Sequence, residues 1–487
     1  MDRATLLTSI QELQLKKETL LQELQAIDLY LRARQAQYAR LVNDDALVYR
    51  IPNELLTGIF TMCTTTAART PSSRRGCPSP LPSQVIVSHV SHRWREIALA
   101  TPLLWNTINF NVRPMNHVQG RILSQLEAHI QRSDTCFLNI TLDFQIAEKL
   151  ESYCQLLAKH SRKWRRLSIV TRFEQLDDIR EMLCDAEVPI LEHLSLSLGK
   201  PRSGSLSPRK QFSSVTPAIL SSVGPLSFLR LAGQALGNLH PPMSSVTTLH
   251  LDGWTRHYMT DEQFGIILEG TPSIINLSFN QLCLHHPRNP FVFVQPTTLH
   301  HLRCLRIRGS CSPVSRLISL LNMPRLESIS LEGIDTFDSH IMESVRHLNL
   351  DDCSFNELEV GKLIRSFPLL SDLSIDESMP DIFYMLLPEA SEVDMSRPWP
   401  QLKTITIRDL QSVDVPYFCN MVFNRHATAE LGSSPLKNIF LDRRSRNVLR
   451  AKHRLEWLQD MVLVENADIP ACWPLGLEYE DVHDLLE

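Results

Sequence analysis

The chain has 487 residues, of which 43% are hydrophobic, 21% charged and 7% aromatic, an ordinary globular composition that excludes a fibrous or wholly disordered polymer. Its 49 Lys+Arg against 54 Asp+Glu leave a formal charge of −5, which argues against a protein built chiefly to neutralise phosphates. No run approaches the roughly 18 consecutive apolar residues of a membrane span, and the charged N-terminus lacks the apolar centre of a signal peptide.

Cysteine usage agrees with a chain that stays inside the cell. The 11 cysteines are scattered without a CxxC pair, which suits neither a disulfide scaffold nor a zinc ribbon. The expected compartment is cytoplasmic or nuclear, with no metal and no cofactor.

Residues 3–42 contain neither Gly nor Pro. Counting from Leu6 in alternating steps of four and three meets Ile10, Leu13, Lys17, Leu20, Leu24, Ile27, Leu31, Arg34, Tyr38 and Leu41. A repeat of 3.5 residues held this long predicts a coiled-coil helix, with Lys17 and Arg34 as polar interruptions of the seam. The helix either pairs with a second copy, giving a homodimer through residues 3–42, or packs back on its own chain.

Residues 47–110 predict three short helices. Ile51-Pro52-Asn53-Glu54-Leu55-Leu56 opens the first, with proline near the first turn and Glu54 at the positive end of the dipole. Val85–Ala98 has apolar residues at helical spacing, and Thr101-Pro102-Leu103-Leu104-Trp105 reads as a capped third turn. The 21 residues Thr64–Gln84, with four prolines, predict a flexible insert.

The elements "IPNELLTGIF", "VSHVSHRWREIA" and "ATPLLW", in this order, resemble the F-box, and more closely its fungal F-box-like variant. The resemblance implies docking to a Skp-type adaptor of a cullin–RING ubiquitin ligase. It assigns that role to Ile51, Pro52, Glu54, Leu55, Ile59, Phe60, Val87, Val90, Trp94, Ile97, Ala98, Pro102 and Trp105.

Residues 136–445 repeat one template, Pro-x-apolar-x-x-apolar-x-apolar. It is met at Pro189-Leu191-Leu194-Leu196, Pro272-Ile274-Leu277-Phe279, Pro324-Leu326-Ile329-Leu331, Pro368-Leu370-Leu373-Ile375 and Pro400-Leu402-Ile405-Ile407. Proline stops the preceding helix, and the closing apolar-x-apolar pair predicts a strand with one buried face. Strand plus helix at intervals of 19 to 35 residues resembles a leucine-rich repeat, although the usual Asn or Cys after the strand is mostly missing. The expected fold class is therefore a mostly α N-terminus followed by an α/β leucine-rich-repeat-like solenoid, curved into an arc. A doubly wound α/β domain is the alternative, set aside because no Gly-rich phosphate turn is present. Residues 446–487, with a helix over Val448–Leu463 and an acidic end, read as a cap on the last repeat.

Strand side chains alternate, so the residues flanking each buried pair share the opposite face. His250, Asp252, Arg306, Arg308, Glu332, Asp351, Asp372, Asp376 and Arg408 are on it. A solvated acidic face that keeps the protein soluble is the first reading of Glu332, Asp351, Asp372 and Asp376; the functional reading is an acidic strip that would hold a basic segment of a target, with Arg306, Arg308 and Arg408 excluding the wrong register. Neither a nucleotide-binding nor a hydrolase motif occurs. Ser207, in a basic Ser-rich stretch, is a candidate for phosphorylation. The functional expectation is a non-catalytic substrate-recognition adaptor of a Skp–cullin–F-box ligase. The alternative is a coiled-coil scaffold without ligase binding.

Overall fold

Forty-two residues free of helix breakers, Arg3–Asp44, form one α-helix (α1), whose heptad side chains are exposed along its whole length. The computed structural model describes residues 2–44, 46–69, 82–111, 119–145, 150–184, 186–199, 219–220, 222–253, 258–285, 295–309, 314–338, 340–377, 379–387, 398–427, 435–467 and 473. Ser207 and residues 70–81 of the expected insert lie outside this set. Two compact units result, one of Met1–Asn106 with Arg132–Cys136, the other of Thr107–Gln131 with Phe137–Glu480.

In the first unit, α2 spans Asn53–Arg69, α3 Ser83–Ser88 and α4 His92–Leu99. The expected single helix Val85–Ala98 is broken at His89–Ser91. Ser91 turns extended there, and its side-chain oxygen accepts the Trp94 backbone N–H, capping α4. Thr101 does not cap the following turn; its hydroxyl donates back to the Ile97 carbonyl at 2.7 Å. The expected insert is also shorter at both ends, since α2 continues to Arg69 and α3 begins at Ser83. A small core of Leu56, Phe60, Ile97, Ala98, Leu104 and Trp105 closes the unit, with Val48, Ile51, Val85, Val87 and Trp94 packed against it.

The second unit is built on a 14-stranded parallel sheet whose order follows the chain. β1 (Thr107–Asn111), β2 (Leu138–Asp143), β3 (Trp164–Arg172), β4 (His193–Gly199) and β5 (Phe228–Gly233) come first. β6 (Thr248–Asp252), β7 (Asn276–Asn280), β8 (Cys304–Arg308), β9 (Ser328–Glu332) and β10 (His347–Asp351) follow. β11 (Asp372–Asp376), β12 (Thr404–Arg408), β13 (Asn438–Leu441) and β14 (Leu463–Asn466) complete it.

The proline template has a clear backbone meaning. Val188–Leu191, Thr271–Ile274, Met323–Leu326, Phe367–Leu370 and Trp399–Leu402 are turns, each closed by the last residue's N–H on the first residue's carbonyl at 3.1–3.3 Å. Proline sits second in each, where its fixed φ suits the turn. The last residue of every turn is buried, and the following apolar pairs stack in register from Leu249/Leu251 to Ile405/Ile407. Helices such as Asp261–Glu269 and Glu357–Ser366 cover that face with Phe264, Ile267, Val360 and Leu363. Each strand from β7 to β12 is followed by a residue of positive φ: Gln281, Gly309, Gly333, Asp352, Glu377 and Asp409. A left-handed turn is required at that point, and Gly, Asp or a longer polar residue fills it in place of the expected Asn or Cys.

The expectation of a curved leucine-rich-repeat-like solenoid over 136–445 is overturned. The described residues form an α/β unit on one continuous parallel sheet, which begins at Thr107, inside the region assigned to the three helices, and ends at Asn466, beyond 445. The template records a turn and a strand, both local. Which strands pair, and where pairing stops, is decided by hydrogen bonds between residues far apart in sequence. The C-terminal stretch differs too: Arg443–Ala451 and Leu455–Met461 are separate helices, broken where His453 takes φ +54°, and Leu463–Asn466 joins the sheet as β14.

Candidate functional site

The first candidate surface is on the small helical unit. Of the residues that the F-box resemblance singles out, Phe60, Ile97, Ala98 and Trp105 are core, and Ile51, Val87, Trp94 and Pro102 are half-buried. Phe60 meets Trp94 at a ring separation of 4.8 Å, Trp105 Nε1 donates to the Ala98 carbonyl at 2.8 Å, and Arg132 lies over the Trp105 ring. These residues hold the unit together. Pro52, Glu54, Leu55, Ile59 and Val90 face outward.

Leu55 is 60%, Ile59 42%, Met62 64% and Val90 56% exposed. Positions 55, 59 and 62 share one face of α2, beside the face that buries Leu56 and Phe60. Apolar residues grouped this way mark an interaction surface. Met62 was not legible as part of it, because it falls beyond the resembling motif.

Arg93 is the residue that sequence reasoning missed here. Its guanidinium donates to the Ile51 carbonyl at 2.6 Å, to Asn53 Oδ1 at 2.7 and 3.1 Å and to the Tyr49 carbonyl, and it lies over the Tyr49 ring at 5.3 Å. One side chain thereby ties α4 to the segment that enters α2.

The second candidate surface is the polar face of the sheet. At the last position of five adjacent strands, Arg308, Glu332, Asp351, Asp376 and Arg408 are partners in register. They are not a run of open carboxylates. Arg308 grips Glu332 through two bonds of 2.5 and 2.9 Å, and Arg408 Nη1 meets Asp376 Oδ2 at 2.7 Å. Asp351, between the two clamped acids, forms no ion pair among the described residues. Burial, then the neighbouring Asp376 and Glu332, push its carboxyl up to about 6. Asp372 stands at the other end of β11, where His347 Nδ1 reaches it at 3.2 Å. Burial alone would raise Asp372, but hydrogen bonds from His347, Ser371 and Thr404 hold it below the usual range.

The middle row runs Arg230, His250, Ser278, Arg306, Ser330 and Asn349. Sequence alternation placed His250 and Arg306 on this face correctly, yet both are buried, so they do not line an open groove. Arg230 pairs with Asp252 at 2.5 Å, itself buried, and Arg306 Nε donates to Ser278 Oγ at 2.9 Å. Across them lies Trp473. The Arg306 guanidinium is 4.7 Å from its ring centroid, and the His250 ring is 5.8 Å away, edge-on. The stack continues through Phe228 to His193, whose ring lies parallel to Phe228 at 4.0 Å. Nothing in the sequence links a Trp between Cys472 and Pro474 to strands more than 160 residues earlier.

Among the described residues no three His, Cys, Asp or Glu side chains gather as metal ligands. Burial pushes the Cys154 and Cys353 thiols up to about 12, far from a reactive thiolate. No protein-family model matches the chain, and no curated protein matches it either.

Proposed function

We propose that the protein is a non-catalytic substrate-recognition adaptor of a Skp–cullin–F-box type ubiquitin ligase, its small helical unit docking a Skp-type adaptor and the polar face of its sheet holding a protein target. The observation that carries the reading is the exposure of Leu55, Ile59 and Val90, which lie in segments that resemble the F-box, with Met62 extending the exposed row beyond the motif. Exposing these side chains costs free energy that a docked partner regains, about 1.5–3 kcal/mol for each one fully covered. The homodimer belongs to the same proposal: α1 presents its heptad seam to solvent, and a second α1 is the occupant its 3.5-residue period fits.

Co-purification with a Skp-type adaptor tests the reading. Leu55→Asp with Val90→Asp removes the exposed face without touching the core, and the expected result is loss of the adaptor from a chain that remains folded. A wild-type chain that captures no such adaptor would leave the scaffold alternative.

A further inference from the structure

We propose that the polar face of the sheet at β6–β8 is a seat for an aromatic side chain of a partner protein, carried in an acidic segment, and that Trp473 of the same chain occupies this seat until such a partner displaces it. The inference rests on the reading of the sheet as the target-holding part and names the chemistry of the target.

The geometry is that of a built aromatic site. Arg306 supplies a cation to one side of the ring at 4.7 Å, held in place by its bond to Ser278. His250 offers an edge at 5.8 Å, supported from behind by Phe228 and His193. A cation over an electron-rich ring prefers indole, then phenol. Burial, then Arg306 and Arg230, hold His250 well below its usual range, so the His250 ring is neutral and the cation facing the Trp473 ring is the Arg306 guanidinium. Asp252 answers Arg230 from within the sheet. An occupant bringing its own carboxylates is therefore favoured, and the sequence that follows Trp473 carries Glu478, Glu480, Asp481, Asp484 and Glu487.

The resident occupant is imperfectly matched. Trp473 Nε1 is buried and donates to no acceptor among the described residues. An indole N–H without a partner opposes burial, so the seat grips the ring face and not this indole in particular. A partner whose ring sits equally well, and whose polar edge finds an acceptor or water, displaces it. A resident filling the seat nine-tenths of the time weakens a competitor's apparent affinity about tenfold.

The test uses the full-length chain and a fluorescein-labelled peptide of residues 468–487 as the probe, read by anisotropy. Trp473→Ala should bind the peptide saturably and about tenfold more tightly than wild type, because its own occupant is gone. Replacing the tryptophan of the peptide by alanine should abolish binding, changing the five acids that follow the tryptophan to amides should weaken it, and Arg306→Gln added to Trp473→Ala should remove it. Should Trp473→Ala fail to fold, a protease site placed within 468–472 of an otherwise wild-type chain allows the cut after folding. The seat should then take up the labelled peptide. Equal binding by wild type and variant, no binding by variant or cut chain, or full binding of the alanine peptide overturns the proposal. None of these arms needs the ligase adaptor, so failure of the seat and failure of adaptor capture are separate results.

Discussion

Arg93 Nη2 donates to the carbonyl oxygen of Ile51 at 2.6 Å, joining two residues 42 apart in sequence. Its other bonds reach the Tyr49 carbonyl and Asn53. The small unit has, among the described residues, a core of only six buried apolar side chains, so one planar cation bridging α4 to the segment that enters α2 is a large share of what holds it.

Replacing Arg93 by alanine should therefore destabilise the small unit by about 2–3 kcal/mol, the value of charged hydrogen bonds lost to part-buried acceptors. Lysine should recover little, since a single ammonium cannot span the carbonyls of Tyr49 and Ile51 and the Asn53 amide together. Chemical denaturation of both variants checks this, with adaptor capture lost in parallel with folding.

Core and docking residues of the same helix should separate cleanly. Phe60→Ala empties a fully buried site beside Trp94 and should cost about 3–5 kcal/mol. Ile59→Ser, one residue away and exposed, should leave the unfolding midpoint within about 0.5 kcal/mol of wild type and still weaken adaptor capture. Comparable destabilisation by the two would place Ile59 in the core instead.

Deleting residues 1–44 should convert a dimer to a monomer in light scattering while the remaining chain unfolds at an unchanged midpoint. α1 buries none of its heptad residues on its own chain. Arg34, at a core position of the seam, bonds Tyr30 Oη at 2.9 Å and Gln37 Oε1 at 3.0 Å on its own helix, and Arg34→Leu should raise the melting temperature of the α1 dimer. A full-length chain already monomeric would refute the pairing.

Asp351 should make stability fall as pH rises. Its carboxyl is pushed up from an ordinary 3.8 to about 6, so between these values the folded chain holds more proton than the unfolded one. The free energy of unfolding then decreases with pH across that window, and the loss is complete above it. Asp351→Asn should remove this fall and stabilise the protein at pH 7 by about 1–2 kcal/mol, less than the whole shift because the carboxylate is only partly buried. Denaturation midpoints of both chains at pH 4 and pH 7 decide it. The variant's advantage should vanish at the lower pH.

Several features were legible from residues because their causes are local. The absence of Gly and Pro and the heptad spacing from Leu6 to Leu41 determine a long helix, and the structure has it. Proline two residues before a buried Leu or Ile determines a turn followed by a strand, as at Phe367–Leu370 ahead of β11. Alternation then assigns Leu373 and Ile375 to one face and Asp372, Ser374 and Asp376 to the other. Backbone sterics and side-chain periodicity act over a few residues, and a sequence carries both directly.

What only the tertiary structure decided depends on partners distant in the chain. Fourteen strands share one sheet from Thr107 to Asn466 because each pairs with the next across a helix or loop, which no turn template records. Arg308 and Arg408 neutralise Glu332 and Asp376, leaving Asp351 between them, because register sets those side chains opposite one another on neighbouring strands. Arg93 and Trp473 owe their roles to the same cause: a guanidinium reaches carbonyls 42 and 44 residues away, and an indole crosses strands laid down far earlier. Hydrogen bonds, ion pairs and ring contacts form between groups that folding brings within about 3 to 6 Å, whatever separates them in sequence.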